Sequence, residues 1–311
     1  MIVKNNLYRM LKEKSYLVLA VLIIPITIFI AVYVATMAPT DLTIGVIGSE
    51  SFKDTNGVSF DKLSEDDHSI SDLIRGKYDA YIIEKNGTYR VETSKGNGLK
   101  KQIESFLKNT QEQKTGSIQK VTIYSTSLNL LSLALMIFSL ILYKYYFDER
   151  RGINKRIIES TISSSRYVLQ HVLTVFITML IPAVIATLIL FPLFEIKLEF
   201  AYLFTVSLIV CFSSSFGIVL SSFMKKNQGA LLVGTMLTVI TSLLSGSLFS
   251  IVSNDFIDKL QIILPQKYIG ILGQNIDQNA NLSISSIIMI AVIVVIFLVI
   301  SIWKNDKLIR N

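Results

Sequence analysis

The stretch Asp148–His171 (DERRGINKRIIESTISSSRYVLQH) gathers Arg150, Arg151, Lys155, Arg156 and Arg166 beside Asp148, Glu149 and Glu159. Side chains of these types can pair ions and dock a partner. They lack the nucleophile, base and orienting group that covalent catalysis needs. The run lies between two apolar segments, and basic density beside such segments marks the cytoplasmic side of a membrane. Ile153, Ile157 and Ile158 recur at helical spacing, with Gly152 before them and a Ser/Thr run from Ser160 to Ser165 after. The pattern predicts a short amphipathic helix at the membrane surface, apolar on one face and basic on the other. Two readings stay open at this point: a positive-inside anchor that only fixes topology, and a docking segment.

The other chemistry-bearing residues lead to exclusions. Glu65-Asp66-Asp67 with His68 could ligate a cation, but that spacing sets no ligands on one face and reads as a solvated loop. Cys211 is the single cysteine and lies inside an apolar run, which leaves neither a disulfide framework nor a cysteine metal site. His68 and His171 lie too far apart in sequence to suggest a site. No G-x-x-x-x-G-K-[ST] phosphate loop occurs; Gly96-Asn97-Gly98 reads as a turn. The chain is not expected to be an enzyme, and no metal is assigned to it.

The elements that must position the basic stretch are apolar helices. Hydrophobic residues make up 51% of the 311 residues, and the mean hydropathy is +0.54, beyond the usual soluble range. The net charge of +7 sits in short segments beside the apolar runs, which argues for membrane topology and against nucleic acid. Residues 1–15 read as an amphipathic helix on the inner leaflet. Residues 16–36 form a first span of bilayer length, with Pro25 inside it. That run is longer than a signal-peptide core and lacks a clean A-x-A site, so an uncleaved anchor is expected.

Residues 37–121 change character and predict a small extracytoplasmic α+β domain. Leu42–Gly48 reads as a strand and Ile70–Gly76 as a helix. Tyr78–Ile83 and Thr88–Thr93 flank an Asn86-Gly87 hairpin turn, and Gly98–Lys114 reads as a second helix. Residues 122–147 form the second span and 148–166 the basic loop. Further spans are expected over 167–194, 200–223, 229–251 and 283–303. An outer segment with short helices covers 252–282, and 304–311 form a cytoplasmic tail. The expected fold is thus an α-helical integral membrane protein of six transmembrane helices, with the α+β domain between the first two. Fifteen Lys/Arg fall in the inner segments against three in the short outer loops, so both termini are expected in the cytoplasm.

Ser213, Gly217 and Ser221 recur every fourth residue in the fourth span, and Ala230, Gly234, Thr238, Ser242 and Gly246 do so in the fifth. Small residues at that spacing let backbones approach closely and mark helix-packing faces, within one subunit or between two. No Asp or Glu falls in the interior of a span. Ion-coupled carriers usually keep some, so energy for transport is expected from elsewhere.

A further order of residues carries a family resemblance. An E-R/K-x-x-G-T-x-x-R-L-x-x-S-P-x-S-x-x-x-Y-x-L pattern follows the second span in ABC-2 type permeases. The chain resembles it at Glu149, Arg150, Gly152, Arg156, Ile157, Ser160, Ser163, Tyr167 and Leu169, with Asn154 near the usual Thr and Thr161 where Pro is usual. Ser245-Gly246 and Leu264-Pro265-Gln266-Lys267-Tyr268 match the outline of the family's later outer segment, without the Pro that usually follows Ser-Gly. Pro265 and Tyr268 stand for its Pro and aromatic, and the stretch Arg75–Ala80 also looks like the family.

The resemblance implies the membrane subunit of a bacterial ABC exporter in the cell membrane. Residues 149–160 would be the coupling helix docked to a separate ATPase. ATP and Mg would sit on that partner, with no cofactor on this chain. A second permease, itself or a sister subunit, would complete a dimer in the lipid bilayer. The cargo would be an amphipathic small molecule, peptide or lipid-like compound moved outward. The rival expectation is a non-transporting membrane receptor or assembly scaffold whose outer domain binds a ligand or partner.

Overall fold

The structure, a computed structural model, describes residues 2–13, 22–37, 42–48, 58–64, 70–75, 77–85, 88–93, 103, 107, 123–150, 163–246 and 259–310. The chain divides into two compact units: residues 1–36, 122–248 and 261–311, and residues 37–121 with 249–260.

The first unit is helical. It comprises α1 (Ile2–Lys12) and α2 (Ile24–Met37), then, beyond the second unit, α4 (Ile123–Leu142), α5 (Lys144–Arg150), α6 (Ser164–Leu193), α7 (Phe200–Phe223), α8 (Asn227–Leu244), α9 (Pro265–Asp277) and α10 (Ile284–Arg310). Among the described residues five stretches are long and apolar enough to cross a membrane: Ile123–Arg150, Ser164–Leu193, Phe200–Phe223, Asn227–Leu244 and Ile284–Lys307. The expected first span is represented by the shorter apolar helix Ile24–Val34, since residues 14–21 lie outside the described residues.

Local chemistry sets the helix ends. Ser163 caps α6, its Oγ accepting from the Arg166 N–H at 3.4 Å, as a hydroxyl does for the orphan donors of a first turn. The apolar run after Gly229 continues to Ile251, and the sequence reading carried the fifth span that far. The helix stops at Leu244, and Gly246 adopts φ 72°, a left-handed conformation in which glycine commonly ends helices.

Helices α4 and α7 are the inner members. Helix α4 packs on α6, α7, α8 and α9, and α7 packs on α6, α8, α9 and α10. Most of α7 is buried, whereas α8 and α10 are largely exposed. These outer helices present Leu232, Met236 and Ile240, and Ile288, Val292 and Val299, side chains that a bilayer would cover.

The small-residue rows face α4. A Cβ on Gly217 would lie 2.6 Å from Ser139 Oγ and from the Tyr143 ring, and one on Gly234 would run into Leu140. Ser213 and Ser221 are buried on the Gly217 row, as are Ala230, Thr238 and Ser242 on the Gly234 row. Tyr143 Oη donates to Ser214 O at 2.7 Å across the α4–α7 seam. Span hydroxyls such as Thr187, Thr205, Thr238 and Ser301 bond back to the carbonyl four residues earlier, which satisfies them inside an apolar setting.

The second unit holds a four-stranded sheet in the order β2-β1-β3-β4: β1 (Leu42–Ile47), β2 (Val58–Leu63), β3 (Ala80–Lys85) and β4 (Thr88–Glu92). Strand β1 pairs parallel with β2 and β3, and β3 pairs antiparallel with β4, Lys85 opposite Thr88. Asn86-Gly87 lies outside the described residues. One face buries Ile44, Ala80, Ile82 and Val91 with Ile103 and Leu107; the other buries Ile47 and Tyr81 with Tyr78 and with Leu73 of α3 (Ile70–Ile74). Gly45 leaves room for its neighbour: a Cβ there would lie 2.6 Å from the Tyr81 ring and from Leu63. The sequence reading had no strand at β2, whose Asp61 and Lys62 are exposed.

Candidate functional site

Glu149, in the last turn of α5, is where the elements of the helical unit converge. Its Oε2 accepts from Tyr167 Oη at 3.1 Å and from His171 Nε2 at 3.0 Å, and its Oε1 accepts from Arg9 Nη1 at 3.3 Å. Tyr167 and His171 stand four positions apart on α6, a spacing that places both on one helix face. Arg9 comes from α1, and its guanidinium also lies 4.6 Å from the Tyr145 ring centroid. Lys144 and Glu13 add a second ion pair at 3.7 Å. One carboxylate therefore ties α1, α5 and α6 together.

A second set of bonds extends the joint to α10 and α7. Tyr146 Oη donates to Asn305 Oδ1 at 3.3 Å, and Asn305 Nδ2 donates to Ser164 Oγ at 2.7 Å. Arg150 Nη1 donates to the carbonyls of Ser221 and Met224 at 3.2 and 2.7 Å, closing the end of α7. Tyr146, Tyr167 and His171 pack their rings on one another at centroid distances of 4.6–6.1 Å.

Burial decides what this arrangement can do. Glu149 is 4% exposed and His171 3%, and three donors from three side chains occupy the carboxylate. A buried charge is costly unless paired and hydrogen-bonded, and here it is both. A carboxylate enclosed in this way cannot reach a substrate, so the assembly is a mechanical joint. Among the described residues no group of His, Cys, Asp or Glu could hold a metal ion.

The joint lies at the mouth of the basic loop. Of the residues singled out for coupling, Glu149 and Arg150 are in it; Gly152, Asn154, Arg156, Ile157 and Ser160 lie outside the described residues. Leu169 of the same pattern points outward, at 45% exposure, while Tyr167 is fully buried. Ser245 is buried and its Oγ bonds Ser242 O, Pro265 starts α9, and Tyr268 Oη donates to Ile262 O at 2.6 Å. The sequence reading missed Arg9, His171 and Asn305. The signal for His171 was present: an acidic residue follows directly on an apolar run, and a Tyr and a His repeat at helical spacing on the next one.

A family model described as ABC-2 type transporter matches residues 103–272, slightly more than half of the chain. The match spans both ends of the joint's central pair, Glu149 and His171. No curated protein gives a significant match.

Proposed function

The chain belongs to the ABC-2 type transporter family, and we propose that it is the membrane permease subunit of an exporter driven by ATP hydrolysed on a separate chain. The observation that carries this reading is the Glu149 joint. It lies within the family match, on the residues that flank 151–162, and it binds those flanks to each other and to three other helices, α1, α7 and α10.

In this reading both termini face the cytoplasm, and the segment Glu149 to Ser160 docks on the ATPase. ATP binding draws two ATPase subunits together. The push on the loop enters α5 and α6 at once, because Glu149 cross-ties them, and α1 braces the same surface through Arg9. The spans of two permeases, copies or sisters, then rock apart and release cargo outward, a shift between two packed arrangements. Apolar spans rich in Ser and Thr suit an amphipathic small molecule, peptide or lipid-like cargo.

The test is substitution in the loop. Gly152→Trp and Arg156→Glu are introduced into the permease–ATPase complex in proteoliposomes, and transport-linked ATPase activity is measured. Loss of the coupled activity with the complex still assembling, or loss of assembly itself, supports the assignment. Unchanged coupling in both variants removes it.

A further inference from the structure

Helix α10 turns one row of large apolar side chains away from the bundle. Ile288, Val292, Val295, Val299 and Trp303 are all exposed and follow one another at steps of three or four, which keeps them on one helix face. The opposite face is the packed one: Ser301 is buried, and so is Asn305, which bridges Tyr146 and Ser164. In a stretch long and apolar enough to cross a membrane, an exposed row of this kind is covered by acyl chains.

The row ends in charge. Lys307 stands four positions after Trp303, exposed on the same side of the helix, with its Nζ 5.7 Å from the Trp303 ring centroid. Lys304 holds its Nζ 5.2 Å from the ring centroid of Phe223, the exposed last residue of α7. A tryptophan followed by lysines marks the level of the lipid headgroups, where an amphipathic ring and a snorkelling ammonium both find the border of acyl chain and water.

Other cations at this end of the bundle are engaged inside the protein. Arg9 is held by Glu149, Lys144 by Glu13, and Arg150 by the carbonyls of Ser221 and Met224. Lys304 and Lys307 meet aromatic rings, and among the described residues neither pairs with an acid. Asp306 is the acid between them in sequence. At 3.6 residues per turn it lies about 160° around the helix from Lys304, on the far side of the Trp303–Lys307 ridge.

We propose that Trp303, Lys304, Lys307 and Phe223 form a headgroup site for an anionic phospholipid, with the phosphate between the two ammonium groups and the acyl chains along the row from Val299 to Ile288. Continuity and charge choose this occupant: the cations stand at the end of a lipid-facing row and have no acid of their own. Near a bilayer surface each lysine contributes about a fivefold preference for acidic lipid, and salt screens it. The dipole at the C-terminal end of α10 also favours lysines there. That contribution is the same for every headgroup, so a preference between headgroups reports the site. Which leaflet the site faces rests on the permease reading; the lipid preference does not.

Trp303 is the single tryptophan of the chain, so its fluorescence reads the site directly. The full chain is reconstituted in phosphatidylcholine vesicles. A small, equal fraction of the lipid is then replaced by brominated phosphatidylglycerol in one sample and by brominated phosphatidylcholine in another. Quenching of Trp303 should show phosphatidylglycerol favoured by about fivefold or more, and high salt should narrow the difference. Lys304→Gln combined with Lys307→Gln keeps the tryptophan and the apolar row, and should make the two lipids equal. Lys197→Gln, beyond the opposite end of α7, removes one charge elsewhere and should leave the preference as it was. Equal quenching in the unaltered chain, or a preference that the double variant retains, overturns the proposal. Quenching by neither lipid would place protein over the row and overturns it as well. The permease reading fails separately: a chain that prefers phosphatidylglycerol at Trp303 but recruits no ATPase keeps the site and loses the exporter.

Discussion

Glu149 and His171 meet at 3.0 Å across 22 positions of sequence, one in the last turn of α5 and the other in the second turn of α6. Between them lie residues 151–162, outside the described residues. The contact therefore ties the two flanks of residues 151–162, α5 and α6, to each other. Arg9 brings α1 to the same carboxylate at 3.3 Å, so the amphipathic N-terminal helix belongs to the joint.

Replacing Glu149 by Gln preserves volume and an acceptor but removes the charge that holds Arg9. Hydrogen bonds to charged groups contribute about 1.5–3 kcal/mol, and a loss of that order is expected in the docking of α1. Exchange of amides in residues 2–12 should rise about tenfold or more, with that of α7 unaltered. An α1 as protected in Glu149→Gln as before would show that the helix is held by its apolar face alone.

Asn305 is fully buried and bridges Tyr146 and Ser164. Asn305→Ala leaves both hydroxyls to find other partners and should lower stability by about 1–3 kcal/mol. Tyr146→Phe, which deletes only the longer of the two bonds, should cost less, near 1 kcal/mol. Thermal unfolding in detergent would order the two variants, and the reverse order would show that Asn305 is not the centre of the bridge.

Glycines separate close packing from open surface. Gly273→Ala sets a methyl against the Ser125 backbone, which cannot rotate away, and overpacking of this kind costs about 1–3 kcal/mol. Gly229→Ala, in the first turn of α8, meets nothing within 4 Å and should be neutral or stabilising by up to about 1 kcal/mol, the helix-propensity difference. Melting temperatures of the two variants should move in opposite directions or leave Gly229→Ala unmoved.

What sequence could show here follows from the range of the signals. The boundaries of α7 match the apolar run Phe200–Phe223 because Glu199 and Lys225 bracket it, and desolvated charge is a strong local marker. The end of α8 was missed because hydropathy runs on past Gly246, while the backbone conformation at that residue stops the helix. Strand β2 escaped because its apolar alternation runs only over Val58–Asp61 before Lys62-Leu63 breaks it, too short a pattern to mark a strand by itself. The Glu149 joint was legible only in part. Its motif flagged Glu149 and Arg150, but the partners Arg9 and Asn305 lie 140 and more positions away, beyond any window in which periodicity acts.

The central claim is that this chain is the membrane half of an ATP-driven machine. The most direct measurement is a mild-detergent pull-down of the tagged full chain from its native membrane, with crosslinking before extraction and mass spectrometry of what accompanies it. Recovery of an ATPase carrying a phosphate-binding loop, crosslinked to residues 149–160, is the expected result, and a second permease species would distinguish a sister pair from a self-paired dimer. Recovery of no ATPase, with and without crosslinking, would contradict the account and leave a membrane receptor or assembly scaffold in its place.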